Sequence, residues 1–181
     1  MKLKLYHARW SLCSQMVRVA MAEKGLSYES KPIKLCDQYP EAENLSLEYL
    51  AVNPKGIVPS LEIDGEIVTE STNIIKRLNE LSGEIDVDLW PDDVDQDSLN
   101  AWVADTTLTD GVPLGKTLGT AIPPFSIILI NFMVKKYLSY FQAIKVYWKH
   151  PLRDRGRFFL IMKFFNIQKP VAESCYKVLV N

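Results

Sequence analysis

Asn53-Pro54-Lys55-Gly56-Ile57-Val58-Pro59-Ser60-Leu61-Glu62-Ile63-Asp64-Gly65-Glu66-Ile67-Val68-Thr69-Glu70-Ser71 is the stretch whose reading decides the fold. Its first four residues are a turn signal. Residues 58–63 and 66–69 are short apolar runs, and the Asp64-Gly65 pair between them marks a tight hairpin. Glu70-Ser71 ends the second run. Residues 72–81 then switch to helical spacing, with Ile74, Ile75, Leu78 and Leu81 on one stripe. The order is strand, strand, helix.

Working toward the N-terminus, residues 2–6 alternate charged and apolar side chains as a short strand does. The alternation breaks over residues 7–13. Residues 14–24 are helical in pattern, with Val17, Ala20, Met21 and Lys24 along one face, and Gly25 stands where a helix stop is expected. Residues 26–35 read as a second strand, with Pro32 placing part of it at a sheet edge. The polar and acidic residues 36–51 hold a loop and a short helix. The first part of the chain is therefore a βαβ–ββα arrangement.

Working toward the C-terminus, residues 83–97 are acidic, contain Trp90-Pro91, and read as a linker. Strand signals stop after it. Residues 98–109 predict a helix, and residues 109–124, with three glycines and three prolines, predict a loop. Residues 127–148 predict one long helix stopped by His150-Pro151. Residues 153–165 and 170–180 predict two more. The expected organisation is an α/β domain over 1–82, a linker over 83–97 and an all-α domain over 98–181.

Composition narrows the function classes. The chain of 181 residues is 48% hydrophobic and 24% charged, which is ordinary for a soluble globular protein, and its formal net charge of -1 gives no nucleic-acid footprint. Three widely spaced cysteines (Cys13, Cys36, Cys175) and two histidines (His7, His150) make neither a disulfide framework nor a metal cluster. The first residues are too polar for a secretory signal. The apolar stretch 122–134 is too short to span a bilayer. A cytoplasmic protein without metal is expected.

Three places suit chemistry. Ser11-Leu12-Cys13-Ser14 lies between the first strand and helix, where free N–H groups and the helix dipole favour an anion such as a thiolate. Ser11 or Ser14 also suits a helix N-cap, and Cys13 is either a reactive thiol or a buried packing residue. Val58-Pro59 suits a cis bond whose preceding N–H and C=O face an extended peptide, or a trans proline opening an edge strand. Glu70-Ser71 suits an amino-acid head, with Glu70 on an ammonium and Ser71 on a carboxylate; Ser71 equally suits a cap for the next helix. Trp10 and Trp148 read as packing residues. Lys135-Lys136 and Arg153-Asp154-Arg155 read as solvated faces, and the stripe Phe158, Phe159, Met162 and Phe165 as core.

Together, Ser11 with Val17-Arg18, Ala22-Glu23-Lys24-Gly25-Leu26, the stretch 53–61, Asp64-Gly65 and Thr69-Glu70-Ser71 resemble the N-terminal domain of the cytosolic glutathione transferases. The likeness spans residues 2–81, and Ser11-Leu12-Cys13-Ser14 is similar to the Ser-Ser-Cys-Ser of the zeta class. It implies a thioredoxin-like domain followed by a helical one, here short or divergent. It implies glutathione as co-substrate, a small hydrophobic electrophile, and a homodimer. It implies Ser11 as hydrogen-bond donor to the glutathione sulfur, with Ser14 and Cys13 as alternatives. Val58 and cis Pro59 would meet the cysteinyl part, Glu70 and Ser71 the γ-glutamyl head, and Lys55 the glycyl carboxylate. The expected activity is a glutathione transferase working by conjugation, isomerisation or dehalogenation. A non-catalytic glutathione-binding or interaction protein, and a thiol oxidoreductase using Cys13, are the competing expectations.

Overall fold

A computed structural model describes residues 1–107, 112, 113, 116–120, 131, 132, 135, 136, 138–165 and 173. It divides into two compact units: 1–36 with 41–91, and 37–40 with 92–181.

The first unit is built on a four-stranded sheet. Strand β1 (Leu3–His7) is followed by helix α1 (Leu12–Glu23) and strand β2 (Glu29–Pro32). A 3-10 turn (Glu43–Leu45) and helix α2 (Leu47–Val52) lead to strands β3 (Ser60–Ile63) and β4 (Glu66–Thr69), then helix α3 (Ser71–Asn79). The strand order is β2-β1-β3-β4; β2 runs parallel to β1, and the other two pairs are antiparallel. This is the mixed sheet of a thioredoxin-like domain.

Alternation along β1 buries Leu3 and Leu5, which meet Val17, Ala20 and Met21 of α1 and Ile74 and Leu78 of α3. The helical stripes read from spacing are thus the faces that close the core. Removing this apolar surface from water contributes roughly 25 cal/mol per Å². Tyr6, one residue out of phase, packs toward Tyr49 of α2, with ring centroids 5.8 Å apart.

The ends of these elements have local causes. The N–H groups of Gly25 and Leu26 return to the carbonyls of Ala22 and Met21, and Gly25 sits at φ +62°. This is the left-handed close of a helix that glycine takes without a Cβ penalty. Asp64 and Gly65 both have positive φ (48° and 96°), as the hairpin turn requires. The second strand is shorter than its ten-residue expectation. Only Glu29–Pro32 pairs with β1, and all four residues are exposed at the sheet edge.

Residues 83–90 do not hang free. The fully enclosed Lys24 donates from Nζ to the Asn79 carbonyl (3.3 Å) and the Val87 carbonyl (3.0 Å). Ile85 N–H returns to the Lys24 carbonyl (3.2 Å), Leu89 N–H donates to Asn79 Oδ1 (2.6 Å), and Leu89 packs on the core. The first half of the acidic stretch is thereby strapped to the first unit.

The regular elements described in the second unit are helices: α4 (Gln96–Thr106), α5 (Tyr140–Trp148) and α6 (Arg153–Phe164). The single helix expected over 127–148 is interrupted. Ser139 adopts extended backbone and forms a reciprocal capping box with Gln142, so a new helix starts at Tyr140. Tyr147 and Phe159 join α5 to α6, with ring centroids 5.0 Å apart. Gly156 permits this approach, because a Cβ there would stand 2.3 Å from the Tyr147 carbonyl oxygen. Phe159 and Met162 are core as expected, but Phe165 is exposed. The predicted helix over 170–180, apart from residue 173, and most of the predicted loop over 109–124 lie outside the described residues; within that loop, residues 118–120 are helical.

Candidate functional site

The register gathers the three chemical motifs at one end of the sheet. Tyr6 pairs with Ser60, and Ser60 with Thr69. The segment after β1 (Ala8–Ser11), the one before β3 (Ile57–Pro59) and the one after β4 (Glu70-Ser71) therefore all leave the sheet on the same side. Val58 packs against a cluster that includes Ala8, tying the second segment to the first.

Ser11 is the N-cap of α1. Its backbone is extended (φ -79°, ψ 121°), and its Oγ accepts from Ser14 N–H at 3.3 Å. Capping uses a lone pair and leaves the hydroxyl proton to donate elsewhere; among the described residues it has no acceptor. The Leu12 and Cys13 N–H groups at the helix start likewise lack a partner among them. The cap and the donor role, alternatives from sequence, are compatible in one side chain. Ser14 is fully buried and accepts from Ala8 N–H at 3.2 Å, which fixes the loop and removes it as an accessible donor. Cys13 is partly exposed rather than buried, since it lies off the Val17–Met21 face.

The Val58–Pro59 bond is cis. Pro59 opens β3, an interior strand and not an edge. Among the described residues, the Val58 N–H and C=O make no hydrogen bond. The flanking backbone is held by a buried polar cluster that spacing did not reveal. Tyr49 Oη donates to the Ile57 carbonyl (2.6 Å), as does Asn53 Nδ2 (3.0 Å). Asn53 Nδ2 also reaches Ser60 Oγ (3.1 Å), and Asn44 Nδ2 donates to the Gly56 carbonyl (2.8 Å). Burial pushes the Tyr49 phenol up to about 12, so it stays a donor at any ordinary pH. Asn53 was visible as part of a turn; Asn44 and Tyr49 are polar residues whose roles only the fold reveals.

Glu70, not Ser71, is the N-cap residue of α3, and its carboxylate makes no capping bond. Its backbone is left-handed in sign (φ 69°). A serine at the first helical position cannot cap its own helix, which corrects the reading of Ser71 as a cap. Its side chain is half-buried, and its hydroxyl and the N–H groups of residues 71–73 have no partner among the described residues. Lys55 Nζ lies 2.8 Å from Glu70 Oε1. Both side chains are about half exposed (50% and 46%).

Trp10 corrects another expectation. It is 62% exposed beside Ser11, with the Arg9 guanidinium 5.9 Å from its ring. Trp148 is 70% exposed, so neither indole is a packing residue. Among the described residues no group of three or more His, Cys, Asp or Glu is placed to hold a metal, and no helix is long and apolar enough to cross a membrane.

Such a mixed sheet, with a cis-proline before β3 and, among the described residues, unpartnered N–H groups at two helix starts, defines a thioredoxin-like domain. Residues 10–81 match the family model for the glutathione S-transferase N-terminal domain. The chain is 43% identical over 79 residues to maleylacetoacetate isomerase of Pseudomonas aeruginosa, covering 43% of this chain and 36% of that protein. It is 36% identical over 114 residues to a zeta-class glutathione S-transferase of Euphorbia esula, covering 62% and 48%. The chain thus spans less than half the length of these curated relatives. Its fold is similar to that of a beta-etherase from a Sphingobium strain (TM-score 0.78, 23% identity, 99% of this chain and 70% of that one).

Proposed function

We propose that the protein is a glutathione transferase that activates the glutathione thiol with Ser11 for attack on a small hydrophobic electrophile. Glutathione lies extended along the sheet end, its cysteinyl backbone on the Val58 N–H and C=O beside Pro59, and its γ-glutamyl head on Glu70 and Ser71. The protein acts in the cytoplasm as a homodimer.

The observation that carries this reading is the division of labour at Ser11 Oγ. The cap bond from Ser14 N–H fixes the side chain and leaves the hydroxyl proton available to donate to a bound sulfur. A thiol of pKa near 8.5 needs about 2.7 kcal/mol to fall by two units. A hydrogen bond to a charged group supplies roughly 1.5–3 kcal/mol and a helix start roughly 0.3–1 kcal/mol. The thiol proton passes to water, because Ser11 donates rather than accepts. The sulfur then forms a bond to carbon while a leaving group departs with its electron pair. On a conjugated double bond the thiolate adds, lets the bond rotate, and is expelled again. The names of the two relatives, an isomerase and a transferase, fit either course.

Conjugation of a chromogenic aromatic halide tests the reading. Ser11→Ala is expected to cut turnover at least about tenfold while glutathione affinity, measured by calorimetry, stays within about twofold. Unchanged turnover would pass the role to Cys13. Retention on immobilised glutathione with no turnover of any electrophile would favour a binding protein instead.

A further inference from the structure

The Lys55–Glu70 pair carries an inference that rests on the glutathione reading and sharpens it. Lys55 is held at its base: its N–H donates to Asn53 Oδ1 (3.0 Å), and Gly56 N–H closes the turn on the Asn53 carbonyl (2.9 Å). Asn53 is itself fully buried and anchored to Ile57 and Ser60. The turn is therefore a rigid base, and from it the ammonium reaches across to Glu70. Glu70 leaves the α3 cap unmade and gives its carboxylate to Lys55. One residue on, Ser71 offers a hydroxyl and an N–H at the positive end of a nine-residue helix.

The cation, the anion and the free donors are thus in one place. An α-amino-acid head carries an ammonium and a carboxylate on the same carbon, and needs one group of each sign within a few ångströms. The geometry points to Lys55 as a binding residue of the amino-acid-head subsite, where its ammonium takes the head's carboxylate jointly with Ser71. In the free protein that ammonium occupies the place on Glu70 that the ligand's ammonium takes on binding. The pair is an internal counterpart of the zwitterion. It keeps Glu70 oriented and is exposed enough for a ligand to displace it, since such pairs are worth little in water. A ligand carrying both head charges satisfies both side chains, whereas one lacking the carboxylate takes Glu70 and brings no counter-charge to Lys55. Lys55 accordingly selects for γ-glutamyl peptides with an intact α-carboxylate, and the glycyl end is bound elsewhere.

Calorimetric titration of wild-type protein and Lys55→Met with three ligands tests this. The ligands are glutathione, γ-glutamylcysteine (no glycyl carboxylate) and 4-aminobutyryl-cysteinyl-glycine (no α-carboxylate). Lys55→Met is expected to weaken glutathione and γ-glutamylcysteine alike, each about fivefold. It should change the third ligand by less than about twofold. Lys55→Arg should restore most of the lost affinity. The opposite pattern, an effect lost with γ-glutamylcysteine and kept with the decarboxylated peptide, would assign Lys55 to the glycyl end and overturn the inference while leaving the glutathione site intact. Equal affinities of wild type and Lys55→Met for all three would also overturn it. Failure of the wild-type protein to bind glutathione at all would overturn the proposed function itself.

Discussion

The two units of the chain use similar residues in different ways. In the first, the apolar positions of α1, α3, β1 and β3 converge on one core, with Leu5, Val17, Met21, Leu61, Ile74 and Leu78 wholly enclosed. In the second, α4 buries no residue, and α5 leaves Phe141 78% exposed and Trp148 at its outer end. Among the described residues of that unit, the α5–α6 contact around Tyr147, Phe159, Met162 and the buried His150 is packed in the manner of the first unit. Apolar content therefore does not tell how well a region is packed. Agreement between the period of the pattern and the partner it faces does.

The contrast breaks or sharpens by experiment. The largest effect belongs to the shared core: Leu61→Ala is expected to cost about 2–5 kcal/mol in denaturant unfolding, whereas Val103→Ala in α4 should cost less than about 1 kcal/mol. Comparable losses would erase the distinction.

Next in size is the acid response, because the chain's two histidines fall one in each unit. Burial, with Arg18 nearby, lowers the pKa of His7; burial, with Arg155 nearby, pushes His150 down to about 4. Each folded pKa lies below the unfolded value near 6.5, so the unfolded chain binds the extra proton between them. Stability is whole above about pH 6.5 and falls as pH drops, levelling off near 4 for His150. Asp37, grouped with the second unit, works the other way: burial raises its pKa, so its contribution is lost as pH rises above the ordinary carboxylate range. His150→Asn keeps an acceptor for the Leu152 N–H and should flatten the fall between pH 6.5 and 4 in melts followed by helical circular dichroism. An unchanged slope would assign the acid response to His7.

A smaller and more local effect is expected of Lys24→Met. It leaves the Asn79 and Val87 carbonyls without their donor, so amide exchange at Ile85 and Leu89 should quicken while α6 is unaffected. Equal exchange in variant and wild type would mean that the 83–90 strap is held by Leu89 alone. The smallest effect is that of Phe141→Ser, within about 0.5 kcal/mol. A loss above about 2 kcal/mol would show that the ring packs in solution.

The first unit was legible because its signals were local and agreed. Gly25, Asp64-Gly65 and the stripes of α1 and α3 each named a boundary or a face, and the order βαβ–ββα followed. The candidate site was legible as positions (Ser11, Val58-Pro59, Glu70-Ser71), but its supports were not. Tyr49 and Asn44 act across 8 and 12 residues of sequence on carbonyls that no periodicity marks. The pairing of Lys55 with Glu70 spans a hairpin and needs the register to be seen. In the second unit, residues 127–148 read as one apolar-to-amphipathic run, and the Ser139–Gln142 capping box inside it was the start signal that marked the interruption.

The strap held by Lys24 bears on how such chains are recombined. Composition places the end of the first domain near residue 82, at the start of the acidic run. A hybrid joined there would give Lys24 only one of its two native carbonyls and would supply a foreign residue where Leu89 belongs. A crossover placed after Pro91 transfers the whole of what the buried ammonium holds. The strap and the core it covers then stay in one piece on the first unit's side of the junction.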